Sequence, residues 1–103
     1  MGRENNYVIG QGKTALVIDG KDNVGIALVD IDAGETCIVR LEEKEITMKV
    51  LDHIPFGHKF ALTSIKKDDP VFKYGEEIGK MSTAVEKGAW VHSHNMYCER
   101  GMK

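Results

Sequence analysis

Four histidines, His53, His58, His92 and His94, all fall in the second half of a 103-residue chain. Two of them stand in Val91-His92-Ser93-His94-Asn95. In a strand, residues i and i+2 point to the same side, so both imidazoles would face one way. At that spacing two ring nitrogens can approach one divalent cation, and imidazole suits Zn, Fe or Mn. The same pattern fits two polar residues on the wet face of a terminal strand. No third and fourth ligand is spelled out beside them, so His58, Asp52 or a partner chain would have to complete a metal site.

A second cluster is Pro55-Phe56-Gly57-His58-Lys59-Phe60. Pro55 stiffens the approach and Gly57 permits a tight turn, which would display His58 from a shaped loop. Lys59 supplies a cation that can meet a carboxylate. The alternative is a plain turn between strands that happens to hold a histidine. His53 reads as a surface residue, and Trp90 as a core residue or a platform for a sugar. Gly12-Lys13-Thr14 is no phosphate loop, because Tyr7 stands where that motif needs glycine and a strand follows. Gly75 to Gly79 has G-x-x-x-G spacing, but Lys73, Glu76 and Glu77 make it a surface turn rather than a membrane seam.

The elements that must position these residues are mostly strands. Eleven glycines punctuate short stretches rich in Val and Ile, the pattern of many strands joined by turns. Strands are expected at residues 14–18 and 24–29, with a hairpin formed by 36–41 and 45–51. Ile46, Met48 and Val50 fall on one face of that hairpin, and Glu42-Glu43-Lys44-Glu45 is its solvated tip. A sequence echo links residues 27–36, 61–70 and, more weakly, 81–90. Each has a small or polar start, an apolar anchor (Ile31, Ile65 or Val85), a polar turn and a strand. Each is expected to form one helical turn capped by Asp30, Ser64 or Ser82, its anchor plugging a small core. Gly34, Asp68 and Gly88 suit left-handed positions.

Composition narrows the function classes. Lys and Arg number 14 against 16 Asp and Glu, a formal charge of −2, and no basic excess is present to neutralise nucleic-acid phosphates. One domain is expected, organised as an extension at residues 1–14, a domain at 15–95 and a tail at 96–103. The polar opening argues against a signal peptide, Asn6 fails a myristoylation pattern, and no apolar run reaches the length of a membrane span. Cys37 and Cys98 lie far apart and read as free thiols in a reducing cytoplasm.

Four segments occur in order: Asp22-Asn23-Val24-Gly25-Ile26-Ala27-Leu28, Ile54-Pro55-Phe56-Gly57-His58-Lys59-Phe60-Ala61-Leu62, Lys73-Tyr74-Gly75-Glu76-Glu77-Ile78-Gly79 and Val91-His92-Ser93-His94-Asn95. Together they resemble the SAF domain of the altronate/galactarate dehydratase family, to which the sulfolactate sulfo-lyase small subunit is related. The resemblance covers about residues 15–95. It implies a mostly β, SAF-type β-clip fold, either at the N-terminus of a long enzyme or as a separate small subunit, whose length this chain matches.

The resemblance further implies the small subunit of a metal-dependent hydro-lyase that dehydrates altronate or galactarate to 2-keto-3-deoxy acids, inactive without its large catalytic subunit. His58, His92 and His94 carry over as catalytic residues, Lys59 and Asn95 as substrate-binding ones, and His92 and His94 as metal contacts. The metal implied is Fe(II) or Mn(II), bound mainly by the large subunit. One departure is Asp19-Gly20-Lys21, where the family often carries His-Pro. The expected partners are that large subunit, a sugar acid and further copies of the chain, with no nucleic acid and no membrane. Alternatives are a subunit of a sulfo-lyase, a stand-alone sugar-acid-binding module, or a structural domain supporting assembly.

Overall fold

The computed structural model describes residues 12–98, and every regular element among them is a strand. The polar opening at residues 1–6, Tyr7 and the end of the tail at 99–103 lie outside the described residues. β1 (Lys13–Leu16), β2 (Val24–Ala27), β3 (Thr36–Leu41), β4 (Lys44–Lys49), β5 (Lys59–Ala61) and β8 (Trp90–Val91) make one sheet, ordered β4-β3-β1-β2-β5-β8. β6 (Pro70–Lys73), β7 (Glu76–Met81) and β9 (Met96–Tyr97) make a second, ordered β9-β7-β6. β1 and β3 run parallel, and the other neighbours are antiparallel.

The β3–β4 hairpin forms as its alternation predicts, but its tip is shorter. Leu41 pairs with Lys44, leaving only Glu42 and Glu43 in the turn. Met48 and Val50 are buried, whereas Ile46 is 52% exposed. Ile46 instead borders a cavity of about 150 Å³ with Val17, Val39, Leu41 and Leu62. Met96 and Tyr97, read as the start of a tail, pair with Met81 and Lys80 of β7.

The helical turns expected at Asp30, Ser64 and Ser82 do not form. At residues 28–36, 62–70 and 82–90 the chain bends, makes one isolated bridge, turns and enters a strand. A fourth copy, not singled out by sequence, occupies residues 51–59. The copies pair two by two, through Ile31 with Ile54 and Ile65 with Val85. In each pair, the left-handed residue of one copy donates its N–H to the residue just before the other copy. Gly34 donates to the Val50 carbonyl, Gly57 to Ala27, Asp68 to Met81 and Gly88 to Ala61, over 2.7–2.9 Å. Backbone groups that a helical turn would bond internally are thus taken by the partner copy. Asp30 caps no helix; its Oδ1 accepts the Phe56 N–H at 2.7 Å.

The anchors Ile31, Ile54 and Ile65 are buried, and Val85 is partly so. They serve two apolar clusters. One gathers Ala15, Val17, Ile31, Val39, Ile54 and Phe60, with Trp90 packed on it. The other gathers Val24, Ala61, Ile65, Val71, Met81 and Val91. Because neighbouring strand residues point to opposite faces, the β5–β8 ribbon sends Phe60 and Trp90 to the first cluster and Ala61 and Val91 to the second. That ribbon is the wall between the two cores, and the histidines stand at its end.

Candidate functional site

His58 immediately precedes β5 and His92 immediately follows β8, whose register pairs Lys59 with Val91 and Phe60 with Trp90. Period two therefore puts His58, Phe60, Trp90 and His92 on one face of the ribbon. The rings meet there. His58 and His92 stack with centroids 4.6 Å apart, and Trp90 and His92 stack at 5.3 Å with planes 9° apart. His94 packs tilted against Trp90 at 4.8 Å. The cluster thus contains all three histidines singled out as site residues.

Backbone hydrogen bonds fix each ring's attachment point. His58 donates its N–H to the Pro55 carbonyl at 3.0 Å and accepts that of Ala27 at 2.9 Å. Gly57 turns the loop with φ of +83°, a region costly to residues with a Cβ. Trp90 donates its N–H to Asp52 Oδ2, and its carbonyl accepts from Asn95 Nδ2, both at 2.9 Å. Its indole Nε1–H points to Nδ1 of His58 at 3.2 Å.

The expectation that His92 and His94 share a strand is corrected by the structure. β8 ends at Val91, and residues 92–95 form a turn closed by the Asn95 N–H donating to the His92 carbonyl at 3.0 Å. The Asn95 side chain explains why the strand stops. Its Oδ1 accepts the His92 N–H at 2.9 Å while its amide holds Trp90, so the backbone donors and acceptors that would extend the strand are satisfied inside the turn. Asn95 is buried, and its amide builds the platform that carries the two imidazoles.

Lys59 is half-buried, and among the described residues its ammonium makes no ion pair. Burial first, then the charge of Lys73, pulls its pKa below the ordinary lysine value. His92 is also held low, by desolvation first and then by His58, Lys59 and His94, so its neutral form is favoured. Neither the His92 nor the His94 ring makes a hydrogen bond among the described residues. By the same alternation Lys59 leaves β5 on the opposite face of the ribbon from the rings, with Ala61 and Val91.

The described residues do not fit a divalent metal by themselves. No group of three or more His, Cys, Asp or Glu among them converges as a metal site, and a protein site for such ions takes at least three ligands. His58 and His92 meet face to face, and Nδ1 of His58 is engaged by Trp90. Asp52, the other candidate ligand, receives the Trp90 N–H. His53 is exposed and pairs with Asp32 at 3.0 Å, outside the ring cluster.

Other motif residues hold neighbouring elements together. Asp22 accepts the Gly75 N–H at 2.7 Å, and Asn23 joins Phe72 and Pro70, tying the β1–β2 loop to the second sheet. Gly25 lies under Phe60, where a Cβ would come within 3.2 Å of the ring. Sequence reasoning left Trp90 undecided between core and ligand platform. The period that joined His92 to His94 also reaches two residues back to Trp90, which packs on the core and organises the rings.

Comparison with known proteins bears on this geometry. The family described as "Altronate/galactarate dehydratase SAF domain" matches residues 13–99. An altronate dehydratase of Bacillus subtilis is 42% identical over 83 residues, covering 81% of this chain but 16% of that protein. The (2R)-sulfolactate sulfo-lyase subunit alpha of Chromohalobacter salexigens is 34% identical over 88 residues, covering 82% of this chain and 94% of that subunit. Its counterpart in Paracoccus pantotrophus is 41% identical over 64 residues, 62% of this chain and 96% of that subunit. The chain thus spans about a sixth of the first relative and nearly all of the other two.

Proposed function

Because the chain belongs to the altronate/galactarate dehydratase SAF domain family, we propose that it serves as the small subunit of a lyase acting on a hydroxylated carboxylic acid. The observation carrying this reading is the family match across residues 13–99, joined to near-complete coverage of two sulfo-lyase alpha subunits. The leading reaction is dehydration of a sugar acid such as altronate or galactarate. That same coverage favours a second reading, in which sulfite leaves from sulfolactate.

Either elimination begins with loss of the proton α to the carboxylate, whose electron pair moves into an enediolate. The β C–O or C–S bond then breaks, with its pair leaving on hydroxide, which takes a proton, or on sulfite. The resulting enol tautomerises to the 2-keto acid. Lys59, half-buried and without an ion pair among the described residues, would in this reading meet the substrate carboxylate from the other face of the ribbon, reaching it only through its long side chain. His92 favours its neutral form, as a proton acceptor requires. His94, exposed at the turn, would in this reading exchange protons with solvent or the leaving group. A divalent metal, in this reading, is held mainly by the large subunit, since the described donors do not converge.

The test is co-expression with a candidate large subunit, followed by assay on altronate, galactarate and sulfolactate. Turnover that needs both chains, and that falls at least tenfold with His92→Ala, is the expected result. Full turnover by either chain alone would refute the two-subunit arrangement. Binding of a sugar acid to the isolated chain without turnover in any combination would instead identify a binding module.

A further inference from the structure

We infer that Trp90 is a positioning residue that fixes His58 as a neutral N–H donor, so that His58 offers its Nε2–H to a substrate oxygen instead of shuttling a proton. The substrate part rests on the lyase reading above; the tautomer does not. An indole N–H can only donate, and that of Trp90 lies 3.2 Å from Nδ1 of His58. While this bond is made, Nδ1 presents its lone pair to Trp90 and the ring proton resides on Nε2. Nε2 then has no lone pair with which to accept a proton. Protonation at Nδ1 would expel the indole. The function left to Nε2 is hydrogen-bond donation, the role a neutral imidazole plays when it stabilises developing negative charge on oxygen.

The lock is well founded mechanically. Trp90 is held through its N–H by Asp52 and through its carbonyl by Asn95, and its ring lies flat on His92. His58 and Asp52 come from the copy at residues 51–59, whereas Trp90 ends the copy at 82–90. These copies belong to different bridged pairs, so the tautomer of His58 depends on how the two pairs dock. In the lyase reading, that Nε2–H would donate to an enediolate oxygen of the substrate.

Long-range ¹H–¹⁵N correlation spectra of the full chain, recorded where imidazoles are neutral, read the tautomer directly. The expected pattern for His58 is an acceptor-type Nδ1 and a protonated Nε2. Trp90→Phe keeps an aromatic ring and removes the donor, so the pattern should give way to a mixture of tautomers. A protonated Nδ1 in the wild-type chain overturns the inference, as does a pattern that Trp90→Phe leaves unmoved. Should Trp90→Phe not fold, the wild-type spectrum still decides.

Turnover in the reconstituted lyase supplies a second reading. His58→Ala should lose about 100-fold, and His58→Gln, whose amide still donates, should recover about tenfold of that. Equal losses would overturn the donor role. Absence of lyase activity with the expected tautomer present would refute the lyase reading and leave the Trp90 lock standing.

Discussion

The copies at residues 51–59 and 62–70 share one backbone plan but differ in what they display. In the first, Gly57 donates to the Ala27 carbonyl, His58 receives the Ala27 N–H and Ile54 bridges Ile31. In the second, Asp68 donates to Met81, Asp69 receives the Met81 N–H and Ile65 bridges Val85. The turn residues are Pro55 and Phe56 in one case and the exposed Lys66 and Lys67 in the other. Where His58 enters a ring cluster, Asp69 stands exposed. The backbone plan is therefore met without histidine, and the imidazole at position 58 is a property of the site rather than a requirement of the fold.

The comparison breaks first at the anchors. Ile54 has no solvent exposure, so Ile54→Ala should cost about 2–5 kcal/mol by lost transfer energy and the cavity left behind. Val85→Ala, at the partly buried equivalent position, should cost about half as much or less, since fewer atoms are removed from a less buried place. Urea unfolding of both variants checks this. Equal losses would mean that the two pairs are not distinguished by anchor burial.

The left-handed glycines separate next. A Cβ at Gly88 would lie 2.7 Å from the Lys49 carbonyl oxygen, whereas at Gly34 it would meet nothing within 4 Å. Both residues have positive φ, 93° and 88°. Gly34→Ala should therefore show only the conformational cost, about 1–2 kcal/mol, and Gly88→Ala that cost plus the displacement of a neighbouring backbone. Thermal unfolding should rank them in that order, and a reversed order would refute the close approach.

Asn95 sharpens the contrast at the site. Asn95→Ala removes one acceptor for His92 and one donor to Trp90, leaving two part-buried backbone groups unsatisfied at about 1 kcal/mol, the lower end of the cost for a buried group. The ring cluster should loosen with it, read as a loss of dispersion among the His92 and His94 ring proton shifts. Unchanged ring shifts would mean that the turn holds without the amide.

How much of this was legible in the sequence follows from where the signals lie. Alternation placed β3 at residues 36–41 and found most of β4, because Cys37 and Val39 alternate with more exposed neighbours and Met48 continues their buried face across the hairpin. The copy at 51–59 was hidden because Pro55 and Phe56 are not the polar turn residues of its sisters. The spacing from anchor to left-handed residue was nonetheless available: Ile31 to Gly34, Ile54 to Gly57, Ile65 to Asp68 and Val85 to Gly88 are each three apart. Helical turns were expected because Asp and Ser precede the anchors, yet those backbone groups bond across a pair, a non-local choice that no local window contains. The histidines at 58, 92 and 94 were legible as residues. Their meeting depended on the β5–β8 register, and the His92 turn depended on an asparagine whose amide could equally have faced a ligand.

The smallest expected effect is a pH dependence confined to the histidine-bearing side of the comparison. Desolvation, followed by His58, Lys59 and His94, holds the His92 pKa below the ordinary histidine value in the folded chain. The unfolded chain, with a pKa of about 6.5, then binds more protons than the folded one between the two values, so stability rises with pH across that interval. The contribution of neutral His92 is fully present above about pH 6.5 and is lost as pH falls through the lowered folded value. Urea midpoints of the wild-type chain should therefore decline below that pH more steeply than those of His92→Gln, which cannot titrate there. Lys59→Met removes one of the charges acting on His92 and should bring the two acid limbs closer together. If the wild-type and His92→Gln limbs overlay from the start, the folded chain does not hold His92 below its ordinary value, and the case for it as a neutral proton acceptor loses its electrostatic support.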